Sequence, residues 1–379
     1  MEKSLETVPG LDLSGEDIEM YYQYVRFVDR FLRFNRNYQI EYFKLSYPGD
    51  GSSEREVDLL KRWIDTVIQL KVKDLDFFDY SWEWGFDNFQ LPSTIYICES
   101  LVSLKLSTVT LPSVKSVSLP FLRVLKLGAV KFADHLDLET LISGCTALET
   151  LAIRFFDRVQ VLQVSSQSLL SFTHVAPKLV FTHAVRKPLA EKDLSIVIDA
   201  PRLEYLKLSD HQTSSFIIKN PGSLVAVDID INLSSGFDSR NMIRDFLVGI
   251  SSVKNMTISS IILKFYDYRF KMLPTFLEIC PNLKSLILKS TEELGIKESS
   301  MFSGPQDFLP SLEYVEMKMP LKKGLLLEIR MLVGYFLEKA TILKKLTLCL
   351  DDYRKRKESL IPRILAIPRI STSCEVVVL

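Results

Sequence analysis

The sequence predicts an α/β protein built from short parallel strands stacked side by side. Three observations predict it: a recurring apolar phrase, a bounded spacing between its copies, and helix-like segments in the gaps. The phrase is an apolar residue, two others, an apolar residue, one other, and a third apolar residue. Clear copies are Leu101-x-x-Leu104-x-Leu106, Leu122-x-x-Leu125-x-Leu127, Leu148-x-x-Leu151-x-Ile153, Leu203-x-x-Leu206-x-Leu208, Leu224-x-x-Val227-x-Ile229, Leu283-x-x-Leu286-x-Leu288 and Leu343-x-x-Leu346-x-Leu348. Looser copies begin at Ile40, Val72, Leu169, Val253 and Leu312.

From one copy to the next the first residue advances by about 20 to 34 positions, which brackets the period of leucine-rich repeats. Within a copy the last two apolar positions are two apart, as a strand burying one face requires, and the residues between and after them point the other way. One such turn buries too little apolar area to stand alone. Stacked, the turns share a continuous column and pair their strands along the concave face of a right-handed solenoid.

The gaps fit a return path. Ala133 to Cys145 spaces Leu138, Leu141 and Ile142 at a helical rhythm, with Gly144 where a helix would stop, and Phe237 to Val248 and Leu273 to Ile279 read similarly. Prolines stand at the strand approaches (Pro120, Pro201, Pro281, Pro310), where a missing amide hydrogen matters little. Both ends differ from the middle, since a solenoid must cover its terminal apolar faces. Asp17 to Arg36 places Ile18, Tyr21, Tyr22, Val25, Val28, Phe31 and Leu32 at helical intervals, predicting a helical cap. A second helix is predicted from Ser53, where Ser53-x-x-Glu56 forms a capping box ahead of Val57, Leu60, Trp63, Ile64 and Val67. Leu325 to Ala340 is helix-like, and the chain closes with an apolar strand, Val376 to Leu379. The organisation expected is a linker and helical cap over 1–37, irregular repeats over 38–304 and a compact closing unit over 305–379.

Composition narrows the function. Lys+Arg and Asp+Glu are equal at 47 each among 379 residues, so the large basic field of a dedicated nucleic-acid binder is missing. No apolar run reaches signal-peptide or bilayer-spanning length, so the expected setting is intracellular, cytoplasmic or nuclear, without a membrane. The sequons at Asn232 and Asn255 then read as chance. Cys98, Cys145, Cys280, Cys349 and Cys374 are far apart, with no CxxC pair, and read as reduced thiols. His135, His174, His183 and His211 are expected on return segments or strand edges, with no nucleophile or carboxylate at motif spacing. Gly49-Asp50-Gly51 lacks the context of a dinucleotide loop. The expectation is a protein that is no enzyme, with no catalytic residue, no cofactor and no metal.

Several longer stretches resemble a known family. Val8-Pro9-Gly10-Leu11-Asp12-Leu13, Phe27-Val28-Asp29-Arg30-Phe31-Leu32, Cys98-Glu99-Ser100-Leu101-Val102-Ser103-Leu104-Lys105-Leu106 and Ser143-Gly144-Cys145-Thr146-Ala147-Leu148-Glu149-Thr150-Leu151 are similar to plant F-box proteins with leucine-rich repeats and an FBD domain. The tail, from Leu309-Pro310-Ser311-Leu312 to Pro368-Arg369-Ile370-Ser371-Thr372-Ser373-Cys374-Glu375-Val376, resembles the FBD closing unit. The resemblance implies a non-catalytic client receptor of a cullin-based ubiquitin ligase, docked through an F-box on a Skp-type adaptor. No Leu-Pro-x-Glu start followed by Leu-Ser-Lys-Arg-Trp-like residues stands upstream of Val8, so the expectation is the recognition part without the docking part. Two alternatives stay open: a scaffold or competitor uncoupled from the ligase, and a small-molecule or anion sensor using the concave face.

Three candidate surfaces follow. Lys44, Lys105, Lys126, Arg154 and Lys207 fall on outward strand positions and define a basic ledge suited to an anionic ligand or an acidic partner segment. Asp74, Asp76, Asp228, Asp230 and Glu316 occupy equivalent positions, and their competing reading is a solvated mixed surface. Trp82, Trp84 and Phe86, in an aromatic loop, are candidates for partner contact. Arg354-Lys355-Arg356-Lys357 is a charged turn or a nuclear-import string.

Overall fold

The computed structural model describes residues 7–13, 21–47, 54–79, 89–113, 115–132, 137–154, 161–176, 195–210, 213, 215–231, 240–259, 272–289, 309–320, 326–351 and 361–379. They belong to two compact units, Met1–Pro177 and Lys178–Leu379.

In the first unit the order is β1 (Thr7–Leu13), α1 (Tyr21–Phe34), β2 (Gln39–Tyr47), α2 (Glu54–Gln69), β3 (Asp74–Asp79), β4 (Ser103–Ser107), β5 (Thr110–Leu111), β6 (Val124–Gly128), β7 (Lys131–Phe132), α3 (Asp137–Ser143), β8 (Thr150–Arg154), β9 (Val161–Ser165) and β10 (Ser171–Val175). Strands β1-β2-β3-β4-β6-β8-β10 pair in that order, each parallel to the next. A separate ladder joins β5 to β7.

Register turns the phrase into columns. Phe43, Leu75, Leu104, Leu125, Leu151 and Phe172 stand opposite one another strand by strand, and all are buried. The next column, Leu45, Phe77, Leu106, Leu127 and Ile153, ends on His174, which is buried at 6% exposure. His174 therefore lies inside a strand, not on a return segment or strand edge as the sequence reading had it. It follows Phe172 by two residues, so strand alternation carries its imidazole inward.

The columns are locked by backbone bonds repeated from turn to turn. The amides of Val102 and Ser103 both donate to the Lys73 carbonyl, at 2.8 and 3.0 Å, and those of Arg123 and Val124 to the Val102 carbonyl, at 2.8 and 3.1 Å. Glu149 and Thr150 repeat this on Arg123, and Leu170 and Ser171 on Glu149. Just upstream, the amides of Leu101, Leu122 and Leu148 close tight turns on the carbonyls of Cys98, Leu119 and Cys145. Pro120 occupies the second position of its turn, where the fixed φ of proline is preorganised. A serine just before the phrase reaches back one repeat: Ser100 Oγ donates to the Val72 carbonyl and Ser168 Oγ to the Leu148 carbonyl, each at 2.8 Å. Such bonds satisfy acceptors that a column of leucines would otherwise bury unpaired.

Helices α1 and α2 pack on each other at the start of this unit. Helix α1 buries Tyr24, Val28 and Leu32, spaced by four, whereas Tyr22, counted in the sequence stripe, is exposed. Helix α2 buries Leu60, Trp63, Ile64 and Val67 of the stripe read from the sequence, whereas Val57 is half-buried; Ser53 lies outside the described residues. Trp63 Nε1 donates to Asp29 Oδ1 at 2.7 Å, and the Tyr21 hydroxyl donates to Glu56 Oε1 at 2.5 Å while meeting the Tyr47 hydroxyl at 2.8 Å. Burial drives the Tyr47 phenol far above its ordinary pKa, so it stays neutral.

The second unit runs β11 (Ser195–Asp199), β12 (Tyr205–Asp210), β13 (Ser215–Lys219), β14 (Ala226–Ile231), α4 (Arg240–Gly249), β15 (Asn255–Ser259), α5 (Met272–Ile279), β16 (Ser285–Lys289), β17 (Tyr314–Pro320), α6 (Leu326–Lys339), β18 (Lys345–Asp351) and β19 (Glu375–Val378). Strands β12-β14-β15-β16-β17-β18-β19 are again parallel, neighbour to neighbour. One column is Leu206, Val227, Met256, Leu286, Val315, Leu346 and Val376. Carbonyls of Glu204, Val225, Lys254, Lys284 and Glu313 each accept two amides from the following strand. Ser252, Ser311 and Ser371 repeat the reach-back, to the carbonyls of Leu224, Leu283 and Leu343. Strand β13 pairs with β11 and carries α4, where Phe216 and Phe246 stack 5.9 Å apart.

Two expected outcomes test this packing. Leu125→Ala deletes the middle of a fully buried column and lowers unfolding free energy by about 3 kcal/mol, read by chemical denaturation. Gly10, in β1, has φ +127°, and a Cβ there would lie 1.9 Å from the Tyr42 carbonyl oxygen. Gly10→Ala therefore peels β1 from β2, seen as faster hydrogen exchange confined to Thr7–Leu13 and the amides it faces.

Candidate binding face

Strand alternation gives each sheet an inner row of buried residues and an outer row that remains half-buried or exposed, as in the Ser103–Ser107 and Thr150–Arg154 strands. In the first unit the middle outer row reads Asp12, Lys44, Asp76, Lys105, Lys126, Ala152, Thr173 across β1 to β10. The row beside it ends with Ser107, Gly128, Arg154 and Val175 on β4, β6, β8 and β10.

All five basic residues read from the sequence are on outer positions, yet they are not electrostatically alike. Lys44 Nζ is 3.2 Å from Asp12 Oδ2 and sits over the Tyr42 ring, and the Asp12 hydrogen bond holds its ammonium above the ordinary lysine range. Lys105 Nζ lies 3.5 Å from Asp76 Oδ2 and 3.9 Å from Asp74 Oδ1. Burial raises the Asp76 carboxyl above its usual pKa, opposed by Lys105. In the second unit, Lys207 Nζ is 2.8 Å from Asp228 Oδ2, which Lys289 also approaches at 3.5 Å. Lys44, Lys105 and Lys207 are thus tied to carboxylates on neighbouring strands. Lys126 and Arg154 are exposed and have no ion pair or hydrogen bond to a side chain among the described residues.

Sequence reasoning could not sort these cations, because each partner comes from a strand about one repeat away and is chosen by register. The signal was present in the acidic residues at equivalent positions, Asp74, Asp76 and Asp228, which proved to be the partners. Farther along the second unit, Lys318 pairs with Glu316 at 3.3 Å on the same strand, and Lys345 with Glu375 at 3.8 Å.

Trp82, Trp84 and Phe86, the basic run Arg354–Lys357, the Gly49–Gly51 segment and His135, His183 and His211 lie outside the described residues. Among the described residues no group of three or more His, Cys, Asp or Glu is arranged to hold a metal ion. Burial pushes the Cys145 and Cys280 thiols up to about 12, and their Sγ atoms donate to the carbonyls of Leu141 and Ile250, at 3.1 and 3.5 Å. Such thiols are poor nucleophiles and serve packing. No described helix is long and apolar enough to cross a membrane.

The parallel strands, the repeated phrase and the open outer row define a leucine-rich-repeat protein of the α/β class. Residues 60–229 match the family model described as FBD-associated F-box protein At5g56370, LRR repeats. Over 98% of its length the chain is 46% identical to F-box/LRR-repeat protein 13 of Arabidopsis thaliana, covering 88% of that relative. It is 44% identical to F-box/FBD/LRR-repeat protein At1g78750 and 42% identical to FBD-associated F-box protein At4g13985 from the same plant, again over 98% of the chain and 88% of each relative. The chain belongs to this F-box/LRR-repeat and FBD-associated F-box family. No solved structure matches it.

The charge pattern has a measurable consequence. Lys105→Met leaves Asp74 and Asp76 with Lys44 as the remaining nearby cation and lowers stability by up to about 1 kcal/mol at low salt, an effect that shrinks in high salt. Lys126→Met removes a cation that stands between Lys105 and Ala152 and changes stability by less than about 0.5 kcal/mol. Denaturant midpoints of the two variants at two ionic strengths make the comparison.

Proposed function

We propose that this chain is the client-recognition part of a substrate receptor for a cullin-based ubiquitin ligase. In this reading the role is non-catalytic and intracellular, and ubiquitin transfer belongs to partner enzymes. The fold proposed for it is a right-handed solenoid over 38–304, capped by the helical segment within 1–37 and closed by an FBD-like unit over 305–379. The observation that carries the proposal is the match along 98% of the chain to proteins named for an F-box joined to leucine-rich repeats. The open outer rows support it, because they leave polar and small side chains on strands whose other face is committed to the core. Coupling to a Skp-type adaptor and a cullin is part of the proposal.

A second reading, an anion sensor, is favoured by Lys126 and Arg154, which have no ion pair among the described residues. An uncoupled scaffold or competitor is separated from the receptor by the adaptor arm of the test below.

The test is affinity capture with the chain alone and with an F-box segment fused ahead of Val8. Both forms should recover the same client, and the fused form should recover the Skp-type adaptor and cullin. Ala152→Arg and Thr173→Arg fill the outer face without touching the core, and each should weaken client binding by about tenfold or more. Client binding unchanged by both substitutions would overturn the recognition role. Failure of the fused form to recover the ligase, with client binding intact, would point to the uncoupled scaffold.

A further inference from the structure

Helix α1 carries a second face that the fold leaves uncovered. Tyr24, Val28 and Leu32 are buried, while away from that stripe Tyr22 and Phe34 are exposed at 81% and 82%, and Phe27 at 52%. Arg26, Arg30 and Arg33 are exposed with them, and Arg36 follows in the turn after the helix. At about 100° per residue the three helical arginines fall within about 60° of one another, and Phe27 and Phe34 lie about 20° apart on the adjoining strip. Each strip runs roughly 10 Å along the axis, about two turns of helix.

This face does not serve the packing of α1. Asp29 is the one acidic residue of the helix, three positions after Arg26 and four before Arg33. It is turned to α2 instead, accepting Trp63 Nε1 at 2.7 Å and Arg62 Nη2 at 3.2 Å, so that Arg62 brings a further guanidinium to the edge of the face. Arg26, Arg30, Arg33 and Arg36 have no ion pair among the described residues. Like charges spaced as Arg26/Arg30 and Arg30/Arg33 weaken a helix. Exposed aromatic rings beside arginines have the composition of an interface, where aromatic residues and arginine are enriched and lysine depleted, and α1 contains no lysine.

We propose that the exposed face of α1 docks an acidic amphipathic helix of a partner protein, laid along residues 26–34. The surface belongs to a helix, not to the strand rows, and the proposal stands apart from the client-recognition reading above. Carboxylates along one stripe of the partner meet Arg26, Arg30 and Arg33, whose planar forks bind a carboxylate through two parallel bonds. Apolar side chains on its adjoining stripe cover Phe27 and Phe34, the anchors of a helix-on-helix contact. Charge selects this occupant. A second copy of the chain would set arginine against arginine in an α1–α1 pair. A helix that lies on an anionic bilayer submerges its apolar side, and the apolar stripe of α1 is buried in the core of its own unit.

The test is fluorescence anisotropy of the full chain with a stapled helical probe of about sixteen residues, glutamates along one stripe and leucines along the next. The probe should bind at least about tenfold more tightly than the same residues in scrambled order, or than the same helix with lysine in place of glutamate. Arg30→Glu should weaken binding about tenfold and Phe34→Ser about fivefold. The triple variant Arg26→Glu, Arg30→Glu, Arg33→Glu should lose the glutamate-striped probe and bind the lysine-striped one, an exchange that a merely structural role cannot produce. Lys254→Glu, an exposed change in the second unit, should leave binding as it was. Melting curves verify that the variants fold, and Arg30→Gln, which should still lower affinity severalfold, keeps the test decisive should the triple variant fail. Equal affinity for ordered and scrambled probes, indifference to Phe34→Ser, or no exchange of preference in a folded triple variant would overturn the proposal. So would binding to phosphatidylserine vesicles through the same arginines without binding of the helical probe, or self-association of the chain that Phe34→Ser abolishes.

Discussion

Everything in this protein depends on the fixed register between each strand and the next. Each strand is too short to hold its own place, so register comes from the start of the strand. There a carbonyl of one repeat, such as that of Lys73 or Arg123, accepts two successive amides of the following repeat. That two-to-one bond sets the first residue of the strand, and the leucines one and three positions on then fall into columns without further instruction. Column packing and backbone pairing are mutually supportive, the condition for a single well-defined fold. The serines that reach back to the carbonyls of Val72, Leu148, Leu224, Leu283 and Leu343 give five more acceptors a partner.

The inner half of the structure was legible because it is periodic. Leu104, Leu125, Leu151 and Leu206 announce their columns through spacing alone, and helices α3, α4, α5 and α6 fall within a few residues of the segments read as helical. What escaped reading was aperiodic or non-local. Strand β1 depends on one glycine whose φ and contact with Tyr42 carry no signature in a single sequence. The serine bonds link residues about one repeat apart, and serine is too common on surfaces to attract notice. His174 sits where the phrase calls for an apolar residue, and only the strand's alternation shows that it turns inward. The flank strands β5, β7, β11 and β13 are short and fell in segments read only as return path.

The outer face follows a different logic. Its residues are not needed for the columns, and their chemistry varies from strand to strand. Some of that chemistry is spent on the fold: Lys44, Lys105 and Lys207 face carboxylates across the sheet, as strands with ionised side chains in register favour. Lys126 and Arg154 are placed otherwise, with no ion pair to either among the described residues. The difference emerges only when register shows which side chains are neighbours, which is why five basic residues looked equivalent in the sequence and are not equivalent in the structure.

Register can be measured directly by cross-linking. Thr150 and Ser171 are paired positions on β8 and β10, both outward-facing, at a strand spacing of about 4.8 Å that a disulfide can span. Under mild oxidation the Thr150→Cys, Ser171→Cys double variant should form the 150–171 bond, detected by peptide mass spectrometry in the folded protein. The Thr150→Cys, Thr173→Cys pair, displaced by two residues, should form none. Cross-linking of the displaced pair in preference to the aligned one would contradict the register from which the columns and the outer-face ion pairs both follow.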